Sequence, residues 1–198
     1  MAKPQNHLLA ALFGVISTLL TSMPGTTQAE DLALTVFAGQ VTGVSAWHNI
    51  ITHPDELDCQ DAYLVAGALA YTLDWFLDGA LALELEGQVV QHLGEQSHWE
   101  LNLPIVVRWH EFPWNDRVST SAAFGIGPSY ATVVPPLEIE LEGESQRFLY
   151  HWFMELTLGP PNADWTTSSR IHHRSGGFGS VADEGGSNAL TLGIKYDL

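Results

Sequence analysis

Eight strand-length stretches of this chain alternate between two faces, seven with apolar side chains along one face and one, 165–175, mostly polar, with no long amphipathic helix to pack over them. The last is the plainest: Leu190, Leu192, Ile194, Tyr196 and Leu198 alternate with Thr191, Gly193, Lys195 and Asp197. Side chains on a strand point to opposite faces in turn, so one face stays oily to the final residue while the other carries charge. In a water-soluble sheet the oily face packs on a core. A chain that repeats the pattern eight times without covering helices has a second option, which is to turn that face to lipid. Open edges and irregular backbone cannot face hydrocarbon, so such strands must close into a ring. The expected fold is all-β: an eight-stranded antiparallel up-and-down transmembrane β-barrel.

The parity predicts strands at 32–43, 62–75, 80–90, 99–109, 118–130, 148–158, 165–175 and along the C-terminal run. In the second, Tyr63, Val65, Leu69, Tyr71, Leu73 and Trp75 are read as lipid-facing, against Ala66, Ala68, Ala70, Thr72 and Asp74 inside. The fourth sets Leu101, Leu103, Ile105 and Val107 outward against Glu100, Asn102 and Arg108. The inward acids Glu84, Glu86, Glu100, Glu155 and Asp197 need partners, and Arg108, Arg170, Arg174 and Lys195 share their side. Paired charges would then fill a narrow lumen rather than leave a pore. Turn formers such as Asp78-Gly79 and Gly159-Pro160-Pro161-Asn162 follow strands two and six. Generally longer connections follow the odd strands, the asymmetry of barrels with short periplasmic turns and longer external loops. Strand seven then runs outward and ends near the outer leaflet.

The first residues read as an export signal. Lys3 precedes an apolar run from Leu8 to Leu20, and Thr27-Gln28-Ala29 supplies small residues before Glu30-Asp31. The expected division is residues 1–29 as signal peptide and 30–198 as the barrel, located in the cell outer membrane. The formal charge of −16 repels phosphates and no basic aromatic patch appears, which excludes nucleic acid as a partner. Cys59 is the single cysteine, so no intrachain disulfide is available.

The unusual stretch is Arg170-Ile171-His172-His173-Arg174-Ser175-Gly176-Gly177. By parity Ile171, His173 and Ser175 share the lipid-facing side, where polar groups cost free energy without adding burial. Chemistry would justify them. A serine hydroxyl becomes a useful nucleophile when a base takes its proton, and His173 stands two residues away on the same face. A third group should orient the imidazole. Barrel closure sets the last strand beside this one. Asn188 has the outward parity there, and Glu184, farther back, would add a charge. Gly176 and Gly177 offer backbone amides for a developing oxyanion. His172 and His173 point to opposite faces, so they do not form a metal pair. No metal or organic cofactor is expected for this chemistry.

With these features in view, the chain resembles the PagL-type lipid A 3-O-deacylases, together with a broader acyloxyacyl-hydrolase-like group of outer-membrane barrels. The resemblance rests on the exported eight-strand pattern and on the run 170–198. That run holds a His-x-Ser in strand seven, a glycine-rich external loop and a final alternating strand. It implies an esterase that removes an ester-linked acyl chain from lipid A of lipopolysaccharide. Ser175 would be the nucleophile and His173 the base, both on the outer wall. Two positions depart. The family usually has Asn after the Ser, where Gly176 stands here. Its early-strand Glu has no fixed equivalent among Asn188, Ser187 and Glu184. The competing readings are a non-catalytic outer-membrane barrel, structural or lipopolysaccharide-binding, and a soluble lipocalin-like barrel with its oily face inward. The identity of the acyl chain, and whether a homodimer forms, are left open by these residues.

Overall fold

The computed structural model describes residues 31–43, 47–177, 179–182 and 185–198. The expected signal peptide, 1–29, lies outside the described residues. The strands are β1 (Leu32–Thr42), β2 (Cys59–Phe76), β3 (Leu81–Gly94), β4 (Trp99–Asn102), β5 (Ile105–Trp109), β6 (Ser119–Ala131), β7 (Phe148–Gly159), β8 (Trp165–Ser175) and β9 (Gly186–Asp197). Neighbours pair antiparallel, and β1 pairs with β9 from Ala33↔Asp197 to Thr42↔Asn188, which closes the sheet. β4 and β5 are two halves of one crossing. Both lie between β3 and β6, separated at Leu103-Pro104 because proline has no amide hydrogen to give the ladder. The ring is therefore eight strands round.

The inside-out polarity follows the alternation. On β2, Tyr63, Val65, Leu69 and Tyr71 are exposed, whereas Leu64, Ala66, Ala68 and Ala70 are buried. Leu192, halfway along β9, is 69% exposed and its neighbour Thr191 is 1% exposed. Such a wall gains nothing from water and is stable against lipid tails. Leu192→Arg should therefore cost about 2–4 kcal/mol, as a charge at the bilayer midplane does, and Leu32→Arg at the rim about 0–1 kcal/mol. Denaturant unfolding from lipid bilayers reads both. Equal costs would mean that the two sites do not differ in depth.

One parity assignment is corrected. β2 shifts register between Thr72 and Asp74, so that Asp74 opposes Leu83 and Trp75 opposes Ala82. The extra residue of such a bulge reverses the faces beyond it. Asp74 thus shares the outward side with Leu83, and Trp75 turns to the mouth of the lumen at the short-turn end, 5.1 Å from the His110 ring. Strict alternation could not register the inserted residue.

The interior has two halves. Phe37, Val41, Leu64, Val90 and Ala189 form an apolar cluster, into which Leu137 inserts from the helix Pro136–Glu142 in the connection before β7. The other half is ionic. Arg108 pairs with Glu84 (2.8 Å) and Glu155 (2.7 Å), and Arg170 pairs with Glu86 (2.8 Å) and with Glu155. Arg170 also lies between the rings of Phe37 and Phe153, 4.9 and 4.4 Å from their centroids. Lys195 pairs with Asp197 at the rim. Glu100 departs from the expectation of an arginine or lysine partner: it meets His92 and His172 instead. The described connecting residues 47–58, 132–147 and 179–182 stand at one end, joined by a short connection at 95–98 because β3 extends to Gly94.

Candidate active site on the outer wall

β8 ends on the long-loop side, and its last outward positions are His173 and Ser175, both half-buried. Across the ladder on β9 their partners are Asn188 and Gly186; on β7 they are Trp152 and Tyr150. Closure of the ring thus puts the Asn188 side chain directly beside His173. His173 Nδ1–H donates to Asn188 Oδ1 at 2.7 Å. That tautomer leaves Nε2 as the basic nitrogen. The ring also packs on Trp152 (centroids 4.4 Å apart, planes at 35°), which in turn meets Trp47 edge-on at 5.4 Å. An amide and an indole therefore set the imidazole's orientation. Among the described residues, no hydrogen bond joins Ser175 Oγ to the His173 ring. The two share a wall and a strand end.

The inward residues of the same strand end are held firmly. Arg174, fully buried, donates to Glu138 (2.7 Å), Ser129 (3.0 Å) and the carbonyls of Gln146 (2.8 Å) and Arg147 (2.7 Å). His151 Nδ1–H donates to the carbonyl of His173 at 3.1 Å. Since successive residues alternate sides, these inner contacts fix the backbone from which His173 and Ser175 project.

Past Ser175 the chain turns tightly. The Gly176 carbonyl accepts from the amides of Val181 (3.1 Å) and Ala182 (3.4 Å). A Cβ at Gly176 would lie 2.3 Å from the carbonyl oxygen of Ala182. Gly177 has φ of +67° and sits against Tyr150, where a Cβ would come within 2.4 Å of the ring. Gly186, opposite Ser175, has φ of +145° and leaves a Cβ no room beside the Arg174 carbonyl. Backbone approaches this close require glycine. Ser187 turns inward and bonds Glu138 at 3.0 Å, so it is not part of the wall site. Glu184 lies outside the described residues. Trp47, Tyr150 and Gly186 join the site without having been singled out as site residues from sequence. The first is distant in sequence, and the other two are read only as cross-strand neighbours once register is known.

No protein-family profile matches the sequence, and no curated protein matches it. Solved structures do match. The crystal structure of the outer membrane enzyme PagL superposes with a TM-score of 0.60 at 14% identity, covering 84% of this chain and 99% of PagL. Neisserial surface protein A (NspA) matches with a TM-score of 0.49 at 8% identity, over 84% of this chain and 97% of its own. Ail, the attachment invasion locus protein of Yersinia pestis, matches with a TM-score of 0.44 at 10% identity, over 84% and 98%. At these identities the likeness concerns the fold: this chain is an outer-membrane-type β-barrel of eight antiparallel strands.

Proposed function

We propose that this protein is an outer-membrane esterase that removes an ester-linked acyl chain from lipid A, with Ser175 as nucleophile and His173 as base. The observation that carries the reading is the His173–Asn188 hydrogen bond on the lipid-facing wall beside Ser175. A histidine oriented by an amide, next to a serine, has little value on a surface meant only to dissolve in acyl chains. Its substrate is then a lipid whose ester lies where the strands end. The resemblance of the run 170–198 to lipid A deacylases names that bond, and the shared barrel with PagL, an outer membrane enzyme, agrees with it.

In this reading His173 Nε2 takes the Ser175 proton as Oγ attacks the ester carbonyl carbon. The oxyanion forms beside the Gly176 and Gly177 amides. Collapse expels the sugar hydroxyl, which receives the proton from His173, and leaves an acyl-serine. Water, deprotonated by His173, then releases the fatty acid and restores Ser175. A groove lined by Leu101, Leu103, Pro128, Tyr130 and Phe148 runs along the same wall. It lies in register with the serine across β7, since Tyr150 pairs with both Ser175 and Pro128. That groove would seat the departing acyl chain.

The test is incubation of the bilayer-folded protein with lipid A, read by mass spectrometry, beside labelling with a serine-reactive fluorophosphonate. Loss of one fatty acyl mass and a label on Ser175 are expected. Intact lipid A with no label would leave a non-catalytic barrel. Installing the family's Asn through Gly176→Asn is expected to lower turnover on the order of 10²-fold, the effect of an ångström-scale misplacement, because Ala182 occupies the space a side chain needs. An unchanged or raised rate would show that the turn yields.

A further inference from the structure

We infer that the lumen holds a divalent transition-metal site, of the kind Zn²⁺ fills, built from Glu100, His151 and His172. The three lie on different strands, β4, β7 and β8, and are 1%, 0% and 3% exposed. One ligand atom from each can be chosen so that all three lie within 4.8 Å of one another. Zinc bound to nitrogen and oxygen at about 2.0–2.2 Å in a tetrahedral shell holds its ligands about 3.4 Å apart, so modest side-chain rotations close the set.

Charge is the first argument. The buried guanidiniums are committed elsewhere: Arg108 to Glu84 and Glu155, Arg170 to Glu86 and Glu155, Arg174 to Glu138. Glu100 is left with Asn102, at 2.8 Å, and two histidines, His92 at 2.8 Å and His172 at 3.1 Å. A buried carboxylate needs a cation or an equivalent set of donors. These three contacts include no permanent cation, and a divalent ion supplies one.

His151 also holds an unused lone pair. His151 donates from Nδ1 to the His173 carbonyl, so in the neutral ring Nε2 carries a lone pair. That Nε2 is buried and has no hydrogen-bond partner among the described residues. Its ring lies 4.4 Å from that of His172, centroid to centroid. Metal-binding histidines usually have the other nitrogen held by a carbonyl or carboxylate in this way. His172 Nε2 already faces Glu100 Oε1, and a metal would replace its proton. The other carboxylate oxygen has its own support. Gln96 Nε2 donates to His92 Nδ1 at 3.1 Å, which makes His92 Nε2–H the donor to Glu100 Oε2. His92 thus orients the carboxylate from outside the metal shell, and water completes the coordination. A metal here would tie β4, β7 and β8 together directly behind His173, through bonds distinct from any ester chemistry.

The experiment uses untagged protein folded in detergent, stripped with a chelator, desalted, and titrated with Zn²⁺ or, in a separate sample, with Co²⁺. About one Zn²⁺ retained per chain, the visible bands of four-coordinate nitrogen-ligated Co²⁺, and proton release on binding are expected. His151→Ala and Glu100→Gln should weaken binding by more than about 100-fold, and His92→Ala by about 10–100-fold, as loss of an outer-shell partner does. His53→Ala, in an exposed connection, should bind as wild type. Wild-type protein that retains no Zn²⁺ and leaves Co²⁺ with its aqueous spectrum would overturn the site, and that result needs no variant to fold. Folded His151→Ala or Glu100→Gln protein that binds as wild type would overturn it equally. Because the readouts are metal retention and spectrum, they stand whether or not lipid A is cleaved.

Discussion

Ser175→Ala protein, folded in bilayers, is expected to lose lipid A deacylation by on the order of 10⁴–10⁶-fold, the scale on which a serine nucleophile's removal acts. His173→Ala should lose about as much, and the double variant little more, because the two residues act in one step. Mass spectrometry of lipid A and the release of free fatty acid measure all three. Asn188 separates this scheme from simple disruption of the wall. It orients His173 but carries no charge, so Asn188→Ala should slow turnover less than loss of the serine. Asn188→Asp should speed turnover, since a carboxylate also stabilises the imidazolium formed during attack. If Ser175→Ala retains wild-type activity, the nucleophile is elsewhere. If Asn188→Asp slows the reaction as much as Asn188→Ala, the contact at 2.7 Å does not assist the base.

Arg170→Ala is the second large expectation: a loss of about 3–5 kcal/mol in unfolding free energy, the cost of removing one partner from a buried ion pair. Arg170 is 1% exposed, pairs with Glu86 and Glu155, and is clasped by Phe37 and Phe153. Its removal leaves Glu86 with Gln88 as a hydrogen-bond donor at 2.7 Å and no remaining cation among the described residues. Glu155 keeps Arg108 and Ser168. The penalty should therefore fall mainly on Glu86, and Arg170→Met combined with Glu86→Gln should recover much of the stability. Denaturant unfolding in a bilayer checks this. A loss below about 1 kcal/mol would place the network with surface pairs, which contribute little. The arginine points into the lumen, on the opposite face of β8 from His173 and Ser175, so the folded fraction should keep its activity per molecule.

Much of the barrel was legible in order. Alternation alone sufficed for the number of crossings, their approximate bounds and the face most strand residues take, because a strand's period of two is local. The orientation of His173 and Ser175 came from the same rule. The rule failed where backbone irregularity intervened: the shift after Thr72 turned Trp75 inward, and Pro104 divided the fourth crossing. The helix Pro136–Glu142 was also hidden, since Leu137-Glu138-Ile139-Glu140-Leu141-Glu142 alternates as a strand would. Proline at its first helical position and insertion of Leu137 into the lumen decide it as a helix instead.

What the amino-acid order determined by itself was a closed, oily-walled ring with charged contents, together with a histidine and serine on its outside. Which strand neighbours met was decided only in three dimensions. Asn188 reaches His173 because closure sets Gly186–Asp197 against Trp165–Ser175 in one particular register. Glu100, His92, His151 and His172 gather because strand tilt and stagger bring four distant inward positions to a common depth. Facing is a property of single residues and is written along the chain. Convergence is a property of pairs, and it depends on register and closure, which no local period encodes.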